Sequence, residues 1–348
     1  MNATTMNSTS PNTALILGAN GRFGQAAVQA FAQAGWRVLA QMRRPPGMPL
    51  PAGAEALTMA LDDTAGLAAA AHGAQVVVYA VNPLYTRWSA ELLPLFRQGL
   101  RVAQALGATL MLPGNVYNYG SQLPARLTED TPAHADHQKA HLRVAMEAEL
   151  QRAAEAGSLK GVVIRAGDFY GCGSGSWLDQ AIVKDIAKGK LVYPGPQDLP
   201  HAWAYLPDLA AAFAAVAGLP RQPAFQALHF SGHTLTGRDL LQGIDEAAIS
   251  LGLRPPSGFR VSGLPWGLMG VMGWFVPMLR ELVRMRYLWM RPHALSGERL
   301  AQVARVAGPL PHTPVAVALR QALLDLGLGQ ATPLPGSAKA LSSRRAAA

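Results

Sequence analysis

Gly18, Gly21 and Gly24 recur at three-residue intervals in the segment Gly18-Ala19-Asn20-Gly21-Arg22-Phe23-Gly24. An apolar run over residues 14–17 precedes them, and an amphipathic stretch over 25–35 follows. At such a junction each glycine has a physical task. Gly18 lets the chain turn off a strand, Gly21 lets backbone approach a phosphate with no Cβ in the way, and Gly24 lets a helix lie close to a sheet. The helix start then offers N–H groups and a partial positive charge to an anion. With a second apolar run over 36–41, residues 13–42 have the strand, turn, helix, strand order and length of a dinucleotide-binding unit.

The end of the second predicted strand indicates which dinucleotide. A carboxylate about 20 residues past the glycines suits a ribose 2′-OH, and a cation suits a 2′-phosphate. Here Gln41 and Met42 lead into Arg43 and Arg44, with no carboxylate. This favours NADP over NAD, and Arg22 within the glycine loop is a second candidate for the same phosphate.

The elements that must hold these residues follow from periodicity. After a Pro/Gly-rich loop over 45–53, a third strand is predicted over 56–60. Asp63 is read as the N-cap of a helix reaching residue 71, so that Leu61 borders the adenine. A Val-rich fourth strand over 75–80 ends at Asn82, a long helix spans 88–106, and a fifth strand over 109–112 ends at Asn115. A helix over 138–156 leads to a sixth strand over 161–165. Strict alternation predicts an α/β fold, a Rossmann-type doubly wound parallel sheet. Beyond it the pattern loosens into helices over 176–188, 208–217, 236–251, 266–287 and 314–326, with short strands over 191–193 and 227–230. The expected division is a disordered N-terminus over 1–12, a NAD(P)-binding domain over 13–170, a smaller C-terminal α+β substrate portion over 171–328, and a disordered tail over 329–348.

Four segments together resemble the extended short-chain dehydrogenase/reductases, the NAD(P)-dependent epimerase/dehydratase group. They are the glycine loop, Asn115-Val116-Tyr117, Arg165-Ala166-Gly167-Asp168-Phe169-Tyr170-Gly171, and Tyr205-Leu206-Pro207-Asp208-Leu209-Ala210. The resemblance implies a Ser or Thr after the fifth strand and a Tyr-x-x-x-Lys on the next helix, the Tyr exchanging a proton with substrate while hydride moves. This chain departs from that pattern. Pro113-Gly114-Asn115 stands in place of the hydroxyl residue, and the best register puts Lys139 and Arg143 at the Tyr and Lys positions, with Glu147 one turn on.

An i, i+4 pair shares a helix face, so both cations can enter the cleft. Arg143 stays protonated and suits a ribose or phosphate, whereas Lys139 can donate a proton if burial and Arg143 depress its pKa. Tyr117, Tyr119 and Tyr85 are the other proton-donor candidates, each equally suited to be a pocket wall. Asn82 and Asn115 are expected to line the nicotinamide side.

The function expected is a NADP(H)-binding oxidoreductase or epimerase-like enzyme acting on a small organic carbonyl or alcohol. A catalytically silent NADP-sensing regulatory protein is the alternative. His134, His137 and His141 have helical spacing, but Pro132 lies beside the helix start, and no metal is expected. Cys172 is read as a packed small residue, and Asp208 as a helix cap.

Composition bounds the rest. The chain has 348 residues, a formal charge of +9 and one cysteine. One cysteine excludes an internal disulfide and fits a reducing, cytoplasmic compartment. Its basic residues are scattered, so no nucleic-acid partner is expected. The polar N-terminus carries no secretory signal pattern. Uncharged residues 261–279 are interrupted by Pro265, Pro277 and several glycines, so no membrane span is expected there, and a buried or pocket-covering helix is. The neighbouring Trp266, Trp274, Phe275, Met285, Tyr287, Leu288, Trp289 and Met290 are expected in the core or at a dimer surface. A homodimer is the default assembly.

Overall fold

The first apolar run becomes β1 (Thr13–Leu17), fully buried along its length because parallel neighbours and helices cover it on every side. A computed structural model describes residues 11–47 and 49–329, so residues 1–10 and 330–348 of the two expected disordered ends lie outside the described residues. The central sheet also contains β2 (Arg37–Met42), β3 (Ala54–Thr58), β4 (Val76–Tyr79) and β5 (Thr109–Gly114). After the two-residue β6 (Arg126–Leu127) comes β7 (Lys160–Arg165). The chain continues through β8 (Asp168–Tyr170), β9 (Lys190–Tyr193), β10 (Pro200–Tyr205) and β11 (Phe225–His229).

Seven strands form one parallel sheet in the order β11-β7-β5-β4-β1-β2-β3. The order reverses between β1 and β4, which opens a crevice at their carboxyl ends. The doubly wound parallel sheet expected from the sequence is present.

Alternation along the strands sorts side chains between two layers. Ala14, Ile16, Val38, Ala40, Val76 and Val78 face one core, shared with α1 (Arg22–Gln33). Leu15, Leu17, Leu39, Val77 and Tyr79 face the other. There they meet α2 (Thr64–Ala70), α3 (Trp88–Leu106) and α4 (Gln138–Glu155). Asp63 caps α2 by accepting from Gly66 N at 2.9 Å.

The second half of the chain does not stay apart from the sheet. α5 (Leu206–Ala217) packs on α1, with Phe213 edge-on to Phe23 at 4.9 Å, and β11 adds the seventh strand beside β7. Asp208 is not the cap of α5. It lies in the first turn, and its carboxylate accepts from Thr313 N and Oγ1, both at 2.7 Å.

A second core gathers around Tyr170, Tyr193, Trp203 and Trp289. It is built from β8, β10 and β12 (His233–Thr236), the parallel pair of β9 with β13 (Arg260–Gly263), and β14 (Ala294–Leu295) beside β6. α6 (Gly237–Ser250) begins with a reciprocal Thr236–Asp239 cap.

Two predicted helices are broken. Residues 176–188 form a wide turn over Leu178–Ile182 and a tight one over Ile186–Lys188. Residues 266–287 divide into α7 (Trp266–Met272), α8 (Pro277–Arg284) and the start of α9 (Tyr287–Met290). Gly273 supplies the break: a Cβ there would press on the Arg280 backbone, and Pro277 restarts the chain as the first residue of α8. α10 (Glu298–Ala304) and α11 (Val315–Asp325) complete the chain as described.

Candidate active site

The glycine loop closes as the sequence requires. Gly18 adopts φ +79°, and Gly21 N donates to Gly18 O at 3.0 Å. A Cβ at residue 24 would run into Gly18 O and the Ala19 backbone. α1 then starts at Gly21 with no side-chain cap and no acid in its first turn. Among the described residues no side chain caps its N-terminal N–H groups, which leaves them for an anion.

Gln41 does structural work beside the loop. Buried at the end of β2, its side-chain oxygen accepts from Gly18 N at 3.0 Å, and its amide donates to Met59 O at 2.7 Å. Asn20 donates to Arg44 O at 3.0 Å, tying the glycine loop to the segment after β2. Arg43 and Arg44 are exposed there. Arg22 extends the other way, donating to Gly171 O at 3.3 Å and Phe169 O at 3.1 Å, so it is not turned toward the Arg43 segment. Phe23 packs in the core, and Leu61 is buried after β3.

Across the crevice, α4 presents Lys139 and Arg143 one turn apart, both in buried surroundings. The Lys139 ammonium donates to Glu281 of α8 and lies 4.2 Å from the centre of the Tyr85 ring. Arg284 holds the other Glu281 oxygen at 2.7 Å. Burial pushes the Glu281 carboxyl up, but the Lys139 hydrogen bond and charge outweigh this, so it titrates below its ordinary value.

Arg143 donates to Pro113 O at 3.3 Å and sits over the Trp88 ring at 4.9 Å. Its Nε, Trp88 Nε1 and the Tyr79 hydroxyl are buried with no hydrogen-bond partner among the described residues. Burial lowers the Arg143 pKa without threatening its charge at neutral pH.

Tyr117 lies in a tight turn after β5, where Asn115 accepts from its backbone N at 3.0 Å. Its hydroxyl is 3.4 Å from that of Tyr85. Burial, with Asp168 adding to it, pushes the Tyr117 phenol up to about 12. Burial likewise raises Tyr85 and Tyr287, the latter bonded to His137 Nε2 at 3.0 Å. Tyr85, Trp88, Tyr117 and Tyr287 thus form an aromatic wall around two cations and one carboxylate. Asn82 is exposed after β4.

Other candidates have different tasks. Glu147 does not join Lys139: it pairs with Arg165 at 2.6 Å, which in turn donates to the Tyr119 hydroxyl at 2.8 Å. Tyr119 reaches His229 at 2.7 Å, so it belongs to a buried network under the sheet edge. His137 caps α4, accepting from Ala140 N at 3.3 Å. Cys172 is half-buried at φ +56°, its thiol pushed up to about 11 by burial.

Glu281 escaped the sequence reading. Its signal was present, as the sole carboxylate between Glu246 and Glu298 in a stretch rich in arginine and apolar residues. Asp168 accepts from His201 at 2.9 Å, and His201 stacks on Trp289 at 4.4 Å.

Solved structures with this fold include UDP-galactose 4-epimerase, at 17% identity, covering 90% of this chain and 98% of that one, with a TM-score of 0.67. A putative epimerase from Burkholderia cenocepacia matches at 19% identity, covering 90% and 97%, with a TM-score of 0.66. UDP-glucuronic acid 4-epimerase from Bacillus cereus, in complex with UDP-glucuronic acid and NAD, matches at 12%, covering 89% and 97%, with a TM-score of 0.64. No curated protein matches the chain by sequence. The model of the NAD dependent epimerase/dehydratase family matches residues 14–226, more than half of the chain and the whole of the glycine-loop crevice. The chain belongs to the NAD dependent epimerase/dehydratase family.

Proposed function

We propose that the chain is a NADP(H)-dependent oxidoreductase or epimerase-like enzyme acting on a small organic carbonyl or alcohol. The observation that carries this reading is the placement of Lys139 and Arg143 together on one face of α4, lodged against an aromatic wall beside the crevice. A solvated basic helix face would leave both cations in water. The fit to a pyridine nucleotide rests on the tight glycine loop, in which Gly24 packs on Gly18 O and the Ala19 backbone with no room for a Cβ, and on the uncapped start of α1. The Bacillus cereus neighbour holds NAD, which supports the same cofactor class here. Arg43 and Arg44, exposed after β2, favour the 2′-phosphorylated form.

When bound, the nicotinamide supplies hydride acceptance and return. Arg143, whose Nε has no hydrogen-bond partner among the described residues, holds a ribose hydroxyl or phosphate. Lys139 gives and retakes a proton at the substrate oxygen, and Glu281 fixes its ammonium. Tyr117 and Tyr85 share a hydroxyl contact that shapes the same pocket. Asn115 and Asn82 lie at the carboxyl ends of β5 and β4, where the nicotinamide side is expected. The aromatic wall favours an apolar or aromatic carbonyl over a nucleotide sugar. The single cysteine supports a reducing, cytoplasmic compartment. The absence of the family's Ser or Thr and Tyr favours the sensor alternative, and the aromatic wall around Lys139 and Arg143 counts against it.

The test is calorimetric titration with NADPH and NADH, followed by NADPH absorbance against aldehydes, ketones, quinones and UDP-sugars. Oxidation by a carbonyl class, abolished in Lys139→Ala while NADPH affinity stays within a few-fold, is the expected result. Retained turnover in Lys139→Ala removes Lys139 from the mechanism, and tight binding without turnover of any class favours the sensor.

A further inference from the structure

The hairpin of α7 and α8 exposes apolar side chains that nothing among the described residues covers. Trp274 and Phe275 at its tip are both 86% exposed, and Leu268, Val271, Met272 and Met278 around them are 40–65% exposed. Trp266, Met269 and Met285 enter the second core, and Leu279, Leu282 and Val283 of α8 pack half-buried against it, which leaves the tip outside. Single exposed apolar residues are ordinary, but a contiguous set of this size with two aromatics at the tip marks an interaction surface.

Charge identifies the partner. Arg280, Arg284 and Arg286 follow directly behind the tip and are exposed. The one carboxylate in the hairpin's own sequence, Glu281, is buried and paired with Lys139 and Arg284. The surface is therefore apolar at its point and cationic behind it. This suits a bilayer carrying anionic headgroups, with Trp and Phe at the acyl boundary and arginines at phosphate level. No helix among the described residues is long and apolar enough to cross a membrane, so contact of this kind lies in the plane of one leaflet.

We propose that the α7–α8 hairpin docks the protein on an anionic membrane surface, with Trp274 and Phe275 inserted and Arg280, Arg284 and Arg286 at the headgroups. A second copy of the chain is the competing occupant. It would bring like-charged arginine clusters together, which disfavours it.

Co-sedimentation of the full chain with phosphatidylcholine vesicles, with and without phosphatidylglycerol, tests this. Binding should appear with phosphatidylglycerol, weaken in high salt, and fall at least about tenfold in the double variant Trp274→Ser/Phe275→Ser. Arg280→Glu should weaken binding to anionic vesicles while leaving NADPH binding unchanged. No binding to either vesicle, or binding that the double variant retains, overturns the proposal. So does lipid-free self-association that the double variant abolishes, since the tip would then be a contact between copies.

Discussion

Lys139 and Glu281 stand 142 positions apart in the chain and meet as a buried ion pair between α4 and α8. Each charge loses its water, so the attraction between them mainly offsets desolvation. The pair therefore adds little net stability, yet it fixes where the C-terminal hairpin root sits against the crevice.

Removing one partner leaves the other charge buried. Glu281→Leu alone strands the Lys139 ammonium and should destabilise the fold by about 3–5 kcal/mol, whereas Lys139→Met should cost less because Arg284 still holds Glu281. The double variant should lose clearly less than the sum, because neither charge is then stranded. Urea unfolding of the four proteins measures the coupling, and strict additivity would contradict a direct pair.

Arg43→Ala should weaken NADP relative to NAD. A charge-assisted bond to the 2′-phosphate contributes roughly 1.5–3 kcal/mol, a change of about 10- to 150-fold in the ratio of the two affinities. Titration with both nucleotides reads it directly, and an unchanged ratio would return the cofactor preference to NAD or to Arg44.

Gly24→Val should damage the cradle without touching the Lys139 side of the crevice. Its Cβ meets Gly18 O and the Ala19 backbone, neither of which can rotate away. Overpacking of this kind costs about 1–3 kcal/mol and displaces the loop. A loss of NADPH affinity of at least about tenfold is expected in calorimetry, and full affinity would show that the loop tolerates the shift.

Acid should unfold the protein earlier than carboxylates alone require. Burial, with Arg165 nearby, holds His229 down to about 4, and burial beside His201 holds His293 down to about 3. In the unfolded chain both return to the ordinary histidine range near 6.5. A depressed folded-state value means that the unfolded chain takes up protons first as pH falls. Stability is therefore full above pH 6.5 and declines below it, by roughly 1.4 kcal/mol per pH unit for each histidine. For His229 the decline levels off as pH passes its folded value. Urea unfolding between pH 7 and pH 5 should show this slope, and His229→Asn should reduce it by about half.

The first half of the fold was legible because periodicity there reports directly on burial. β1, β2, β4 and β5 lie within two residues of their predicted ends, and α3 matches residue for residue, since each is covered by the layers its own pattern implies. The pieces lost were those set by long-range partners. The two-residue β6 and β14 exist only through each other, and β10 through β8 and β12. The expectation of one helix over 266–287 failed because Gly273 and Pro277 outweighed continuous apolarity. It also placed Trp274 and Phe275 in the core or at a dimer surface, and the core is excluded by their exposure. At the site, the glycine loop was readable from its spacing together with the apolar run before it and the amphipathic stretch after it. Glu281 was not, because its meaning depends on Lys139, far away in sequence.

The seventh strand carries a consequence for how the chain is made. β11 lies against β7, yet about sixty residues, holding β8, β9, β10 and α5, separate them in sequence. Until residue 229 has left the ribosome, β7 presents a bare edge of unpaired N–H and C=O groups. The nucleotide-binding layer is thus closed by residues synthesised after β8, β9 and β10. A nascent chain halted near residue 170 would hold the complete glycine loop and an open, adhesive sheet edge together.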